Sequence, residues 1–465
     1  MLVPTLSLQF SMTSDFTVDR RFQNRVVILL CSIVFFSVLN GTMFNVAVPD
    51  IARQFELSAS EVSWVMTGYI IIFALAAITY GKLADIYPVR RLLTIGLILF
   101  NIGALLGFLS HNYMVLLAGR IVQASGGGAI PAMAMLVATR YFPVDKRGRV
   151  LGAVASIVAL AAGLGPVVGG FIAGHWHWRY LFLISFATLF AIYVARKLLP
   201  KETAKDESFD LVGAILVAVA MTATLVFVTR LYWIALPVAL IAFALARRHM
   251  YRKEFPFISP ELLAGRLYRR GLYCTFLTVG TVFGYFFSIP LMLRMVHGQP
   301  TVDIGLVIFP GALTAAALGF VGGRLADRFG GPPVVFAGLG LLLTGYLLMA
   351  ALLGNGVITV LLVLIVCYTG FAFIQSALAK SVSTTLPHDK AGVGMGLYNM
   401  IFFTSGAFGT SFVGRFIDLF DGSIPALTAS KSTIFSYLFV LSALTIVIAG
   451  LLFYRSFGRA ADGGG

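Results

Sequence analysis

Gly81-Lys82-Leu83-Ala84-Asp85 and Gly323-Arg324-Leu325-Ala326-Asp327 are the stretches whose reading decides the fold. Each closes one long apolar segment and precedes another, and the two stand 242 positions apart. A second charged signature returns at nearly the same offset, as Pro143-Val144-Asp145-Lys146-Arg147-Gly148 and Pro387-His388-Asp389-Lys390-Ala391-Gly392. Two charged signatures repeating in register between apolar segments mean a duplicated membrane bundle, whose two halves are built to pack around a shared centre.

The composition around these signatures agrees. Apolar residues make up 59% and charged residues 11% of the 465 positions, against ~25% charged in an ordinary soluble domain. A soluble core cannot absorb that much apolar surface, so lipid or neighbouring membrane helices must cover it. Cys31, Cys274 and Cys367 are odd in number and lie inside apolar runs, which argues against a disulfide framework. No His or Cys pair has metal-ligand spacing; His175 and His177 flank Trp176 without further ligands. No metal and no cofactor is expected.

A membrane helix needs ~20 apolar residues. Runs of that kind lie near 26–48, 63–81, 91–110, 113–138, 150–173, 179–195, 210–229, 231–246, 271–293, 303–322, 333–353, 356–379, 393–417 and 433–454, fourteen in all, the eighth being short. With both termini inside, 27 of the 34 Lys and Arg residues fall on the cytoplasmic side, which fixes the orientation by the positive-inside rule. The net charge of +15 is then topological, a property of loops facing anionic lipid, and does not signal a nucleic-acid partner. The expected fold is an all-α integral membrane protein of two six-helix pseudo-repeat bundles plus two inserted helices. Its parts are a cytoplasmic tail at 1–24, a bundle at 25–200, the inserted pair with a basic cytoplasmic linker at 201–270, a second bundle at 271–455 and a tail at 456–465. The first 24 residues have no signal-peptide core, and either Met1 or Met12 can be the start. The linker holds Phe255-Pro256-Phe257-Ile258-Ser259-Pro260 and is expected to lie along the inner membrane surface.

The repeated signatures nominate a conformational latch. Gly81 and Gly323 let helices approach closely, while Asp85 and Asp327 can cap the next helix or pair with basic loop residues. Arg90, Arg91, Arg328, Asp145, Arg147 and Asp389 are the other charged members of this set; the bland alternative is helix caps beside topological arginines. In the fourth span Arg120 lies seven residues in, ~10 Å deep, where an arginine costs at least ~2.5 kcal/mol unless paired or wetted. Gln123 shares its face at i+3. Arg120, Gln123 and Lys380 are the candidates for a role in transport or coupling, and hydrogen bonding to helix-end carbonyls is the structural alternative for Arg120. The fifth span carries Gly163-Leu164-Gly165-Pro166-Val167-Val168-Gly169-Gly170, a kinked and closely packed stretch for which packing alone would be a sufficient explanation.

Together these motifs resemble the major facilitator superfamily, from about Phe35 to Leu452, and the fourteen-helix layout resembles its drug:proton antiporter branch. Phe35-Phe36-Ser37-Val38-Leu39-Asn40 with Asn45-Val46-Ala47-Val48-Pro49-Asp50-Ile51-Ala52 is similar to the tetracycline exporters of Gram-positive bacteria. Similar too are Tyr80-Gly81-Lys82-Leu83, Ile308-Phe309-Pro310-Gly311 and Ala391-Gly392-Val393-Gly394-Met395. The resemblance implies drug or antibiotic efflux by alternating access, exchanged for protons, in a bacterial cytoplasmic membrane. It also makes Gly163, Gly165, Pro166, Gly169 and Gly170 an export motif.

The sequence departs from that branch where proton exchange would act. All nineteen Asp and Glu residues fall at span ends or in loops. The positions matching the tetracycline exporters' membrane glutamates are Gly41, Ala162 and Gly406, and an aspartate of the branch's first helix is Asn40. The polar interior that remains is a candidate substrate cavity of Asn40, Thr42, Asn45, Thr67, Tyr69, Gln375 and Asn399, with interhelical hydrogen bonding as the alternative at ~0.6 kcal/mol each. Phe35, Phe36, Tyr285, Phe286, Phe287, Phe402 and Phe403 could line a pocket for a flat apolar ligand or simply pack. An interior with fixed positive charge and no negative charge suits neutral, zwitterionic or anionic substrates better than lipophilic cations. The readings are thus an exporter of small amphipathic molecules with protons as counter-ion, or an uncoupled facilitator or anion exporter. A membrane enzyme or receptor-like scaffold finds no nucleophile–base pair and no soluble domain to support it. A monomer is expected, partnered by its small-molecule substrate and the bilayer.

Overall fold

The computed structural model describes residues 20–142, 144–200, 210–253, 256–258, 260–386, 391–420 and 430–458. Within them the helices are α1 (Arg20–Gln54), α2 (Ala59–Ile86), α3 (Val89–Phe108), α4 (Tyr113–Gly127), α5 (Ala129–Tyr141), α6 (Val144–His175), α7 (Ala187–Leu198), α8 (Leu211–Arg230) and α9 (Ala235–Met250). They continue as α10 (Pro260–Ala264), α11 (Arg266–Met295), α12 (Thr301–Phe329), α13 (Gly331–Leu352), α14 (Val357–Ser383), α15 (Ala391–Asp418) and α16 (Lys431–Phe453). Every apolar run read from the sequence is helical. The starts are chemically marked: Ser58 and Glu61 form a capping box on α2, and Asn112 accepts from the Val115 N–H at 2.9 Å to open α4.

The helices refine the expected layout. Twelve helical segments are long and apolar enough to cross a membrane by length and composition among the described residues. The remaining two runs are α9, whose 16 residues reach ~24 Å against a ~30 Å hydrocarbon core, and α6, a helix of 32 residues whose described apolar part is Leu160–His175. α1 begins at Arg20, inside the segment expected as a tail at 1–24, of which residues 1–19 lie outside the described set. The fourth span is two helices, divided at Gly128, where a Cβ would stand 2.5 Å from the Phe73 carbonyl oxygen of α2. The sixth also changes character: it opens as a 3₁₀ turn, Trp178–Phe186, before becoming α7.

Within the first set of helices α1 packs on α6 and α3 on α4; within the second α11 packs on α15, and α14 on α12 and α13. Two broad contacts join the sets, α2 with α15 and α6 with α12. The inserted α8 lies against α2 and α15 beside that junction, while α9 packs on α8. Close approach between helices rests on glycine: at Gly409 of α15 a Cβ would lie 1.8 Å from the Gly280 carbonyl oxygen of α11, a separation no larger residue allows.

Candidate functional site

Arg120 is fully buried, and the first set of helices is built around it. Its Nη1 donates to Asn40 Oδ1 at 3.1 Å and to Gln123 Oε1 at 2.9 Å, and its Nε donates to the Val65 carbonyl at 3.4 Å. Asn40 and Gln123 in turn donate to Ser185 Oγ, at 2.9 and 3.1 Å. The guanidinium lies 3.9 Å from the ring centre of Tyr69 and 4.4 Å from that of Phe44. Neutral amides and two π faces therefore do the work of a counter-ion, each desolvated cation–π contact contributing up to ~2 kcal/mol. Arg120 Nη2 and the Tyr69 hydroxyl are enclosed with no hydrogen-bond partner. Ser185, which no sequence motif marked, is the hub that closes this network.

The proposed cavity residues differ in exposure and in partners. Asn40 and Thr67 are wholly buried, and Thr42 bonds back to the carbonyls of Val38 and Leu39. Thr67 reaches across to the second half, with its Oγ1 2.7 Å from Thr410 Oγ1 and 3.0 Å from Ser411 Oγ. Asn45 is half-buried, whereas Gln375 and Asn399 are exposed. Tyr285 and Phe287 are buried packing residues, but other aromatics make a row between the halves. Tyr69 stacks on Phe73 at 5.9 Å, Phe73 meets Phe403 at 5.3 Å, and Phe403 meets Phe402 at 5.4 Å. Phe402 meets Phe283 at 5.9 Å, and Phe286 stacks on Tyr368 at 4.3 Å. The row begins on the ring that covers Arg120.

Of the three positions where the tetracycline exporters carry glutamate, Gly41 faces open space and Ala162 is half-buried. Gly406 is filled, since a Cβ there would stand 2.7 Å from the Phe283 ring. An aromatic edge occupies the room a carboxylate would need.

The Gly163–Gly170 stretch of α6 works on two faces. A Cβ at Gly165 would stand 2.0 Å from Thr42 Oγ1 and one at Gly169 2.3 Å from the Met43 carbonyl oxygen, so this face seats on α1. On the other face, a Cβ at Gly170 would stand 3.2 Å from Gly305 Cα, and one at Gly305 would stand 2.4 Å from the Pro166 carbonyl oxygen. Gly163 faces Ala312 and Leu313 at 3.6 Å. The motif holds α6 to α1 of its own half and to α12 of the other.

Further carboxylates join the halves at the end of the bundle away from the described chain ends. Asp50 of α1 accepts from Arg294 at 3.0 Å and from the Thr301 hydroxyl at the start of α12. Asp418 of α15 accepts from the Ala59 and Ser60 N–H groups at the start of α2, at 2.8 and 2.9 Å. A carboxylate from each half thus meets the first turn of the other half's corresponding helix, where helix dipoles favour negative charge. Sequence reading had placed Asp50 and Asp418 only as end residues; nothing in their local sequence signals the crossing.

At the opposite end lie the repeated signatures. A Cβ at Gly81 or Gly323 meets nothing within 4 Å. Arg140 Nη2 donates to the Ala84 carbonyl at 2.8 Å and Lys380 Nζ to the Ala326 carbonyl at 3.0 Å. Ala84 and Ala326 hold the same place in the two repeats, so Lys380 is the counterpart of Arg140 at a helix end. Lys82 donates to the Pro256 carbonyl of the linker and sits 5.2 Å over Phe257. Arg90 is half-buried; Arg91 is exposed over Tyr87, and Arg328 over Phe329. Asp85, Asp327, Asp145 and Arg147 lie on described helices, with side chains outside the described set, and Asp389 is outside it altogether.

The comparison with known families decides what this arrangement is. Residues 30–410 match the sequence profile of the Major Facilitator Superfamily. The chain belongs to the major facilitator superfamily. Among its relatives, the riboflavin transporter RibZ of Clostridioides difficile is 29% identical over 409 residues, covering 84% of this chain and 87% of that protein. A multidrug resistance protein B homolog of Mycobacterium tuberculosis is 28% identical over 323 residues, covering 65% of this chain and 59% of that one. A bacterial homolog of the human lysosomal transporter Spinster, solved in an inward-facing and unoccupied conformation, has a TM-score of 0.70 at 16% identity over 95% of this chain and 98% of that one. The nucleoside transporter NupG, solved as a point mutant, reaches 0.67 at 11% identity, covering 93% of this chain and 100% of that one. These structures show the shared major facilitator fold. The chain is accordingly a multi-pass membrane protein of a transporter superfamily.

Proposed function

We propose that this chain is an alternating-access secondary transporter that exports a flat aromatic small molecule, neutral or anionic, from the bacterial cytoplasm. The observation that carries the proposal is the aromatic row from Tyr69 through Phe73, Phe403 and Phe402 to Phe283, which runs between the halves from the edge of a buried cation. Ring faces bind a planar ligand by stacking, and Arg120 favours negative charge beside it. Closure by Asp50, Asp418 and Thr67 at one end supports a state loaded from the other end, which the positive-inside rule makes cytoplasmic.

Tetracycline-type efflux coupled to protons rests on the family resemblance. A second reading, an uncoupled facilitator or exporter of a metabolite, is favoured by the missing membrane carboxylates at Gly41, Ala162 and Gly406 and by the relative named for riboflavin. Proteoliposomes carrying a pH-sensitive dye test both, with riboflavin and a planar drug as probes. Export predicts that an imposed pH gradient drives accumulation of at least one probe. Downhill flux without proton movement moves the assignment to the facilitator, and absence of flux for every planar probe refutes the aromatic substrate class.

A further inference from the structure

Away from the substrate path, two adjoining cavities share one residue. The first, about 540 Å³, lies at the Asp50 end, where α1, α2, α11 and α15 meet the end of α8; Arg294, Arg415, Glu61, Asp418 and Tyr232 are among its walls. The second, about 960 Å³, is the cleft between α8 and α9, walled by Ala218, Val219, Thr222, Val226 and Trp233, with Tyr232 again at its edge.

The chemistry of the two spaces is complementary. In the first, the carboxylates already serve the fold: Asp418 accepts from the Ala59 and Ser60 N–H groups and Glu61 from that of Ser58. Arg294 commits one nitrogen to Asp50 and Thr301. Its Nε, and the Nε of Arg415, are enclosed without a hydrogen-bond partner. Those Nε atoms are closed to solvent, but the two guanidinium side chains, each part-buried, line the cavity and suit the oxygens of a phosphate diester. The second space is apolar apart from the Thr222 hydroxyl and the polar tips of Tyr232 and Trp233, and it extends from Ala218 to Leu231, ~20 Å along a helix, which exceeds one leaflet of a ~30 Å core. Tyr232 and Trp233 are largely exposed at the junction, the place of aromatic side chains at headgroup level.

We propose that these cavities form one binding site for an anionic phospholipid, with its phosphate at Arg415 and Arg294 and one acyl chain in the α8–α9 cleft. The inserted pair then serves to seat a lipid against the end of the bundle that Asp50 and Asp418 close. The bound phosphate supplies counter-charge between α11 and α15 at that closure, so occupancy favours the state in which it is shut.

The test uses the whole purified chain in phosphatidylcholine nanodiscs, titrated with phosphatidylglycerol and read by native mass spectrometry. One phosphatidylglycerol should be retained preferentially. Retention should weaken at least tenfold in Arg415→Gln, recover largely in Arg415→Lys, and weaken at least tenfold in Thr222→Trp, which fills the cleft from an exposed position. Unchanged retention in Arg415→Gln or in Thr222→Trp overturns the site. Displacement of the lipid by millimolar inorganic phosphate also overturns it, because the anion site then works without the acyl cleft.

Discussion

A buried arginine with no carboxylate beside it must be kept in place by geometry. Around Arg120 this geometry is a planar fork between two amide oxygens and a stack between the rings of Tyr69 and Phe44. Arg120→Ala should abolish transport and lower stability, because the Asn40 and Gln123 oxygens lose their donor at ~1–3 kcal/mol per unsatisfied group. Arg120→Lys should keep part of both, retaining charge while losing the fork and the flat stacking surface. Thermal unfolding together with proteoliposome flux checks this pair, and an alanine variant with wild-type flux would reduce Arg120 to a dispensable packing residue.

Among the elements, the inserted helices are tied down by one side chain. Asp210 caps α8 through the Gly213 N–H at 3.0 Å, lies 2.7 Å from His249 Nε2 at the end of α9, and accepts from the Phe257 N–H at 2.7 Å. Since Phe257 and Pro256 also contact Lys82, the same tie extends to α2 and the first repeated signature. Burial pulls the Asp210 carboxyl up, but the hydrogen bonds from His249, Gly213 and Phe257 outweigh it and hold the group below the ordinary carboxylate range. A depressed folded value stabilises above the unfolded value of ~3.9 and is lost as pH falls through the folded one. Proteolysis of the 247–270 linker should therefore accelerate only below about pH 4, and at neutral pH in Asp210→Ala. Equal cleavage of wild type and variant at neutral pH would show that the tie does not order the linker. A cap of this kind is worth ~1 kcal/mol before its two further bonds are counted.

For the whole molecule, the alternating access proposed above requires the α2–α15 contact to part. Thr67 Oγ1 and Thr410 Oγ1 are 2.7 Å apart, close enough for cysteines at both positions to approach disulfide geometry. The Thr67→Cys/Thr410→Cys double variant should cross-link under oxidation, lose flux, and regain it on reduction. Full flux in the cross-linked protein would exclude a rocking of the halves about this contact. Orientation is testable separately. A cysteine at exposed Asn355 should react with an impermeant reagent from outside intact cells, and one at exposed Lys253 should not; the reverse pattern would invert the topology and with it the direction assigned to transport.

The sequence by itself determined the class and the repeat. Apolar run length dictates helices in a bilayer, because lipid offers backbone groups no other partner, and the returning Gly-x-Leu-Ala-Asp signature carried the two-fold plan down to Ala84 and Ala326. It also marked Arg120 and Gln123, since a charge in an apolar run is visible without a structure. What it could not supply was the identity of partners far along the chain. Ser185 beside Asn40, Asp418 on the first turn of α2, and Lys380 at a helix-end carbonyl are contacts between residues 54 to 359 positions apart. Local spacing holds no record of such distances. Helix packing alone decided that Thr67 spans the halves, that Phe283 fills the space beside Gly406, and that Arg415 lines a cavity.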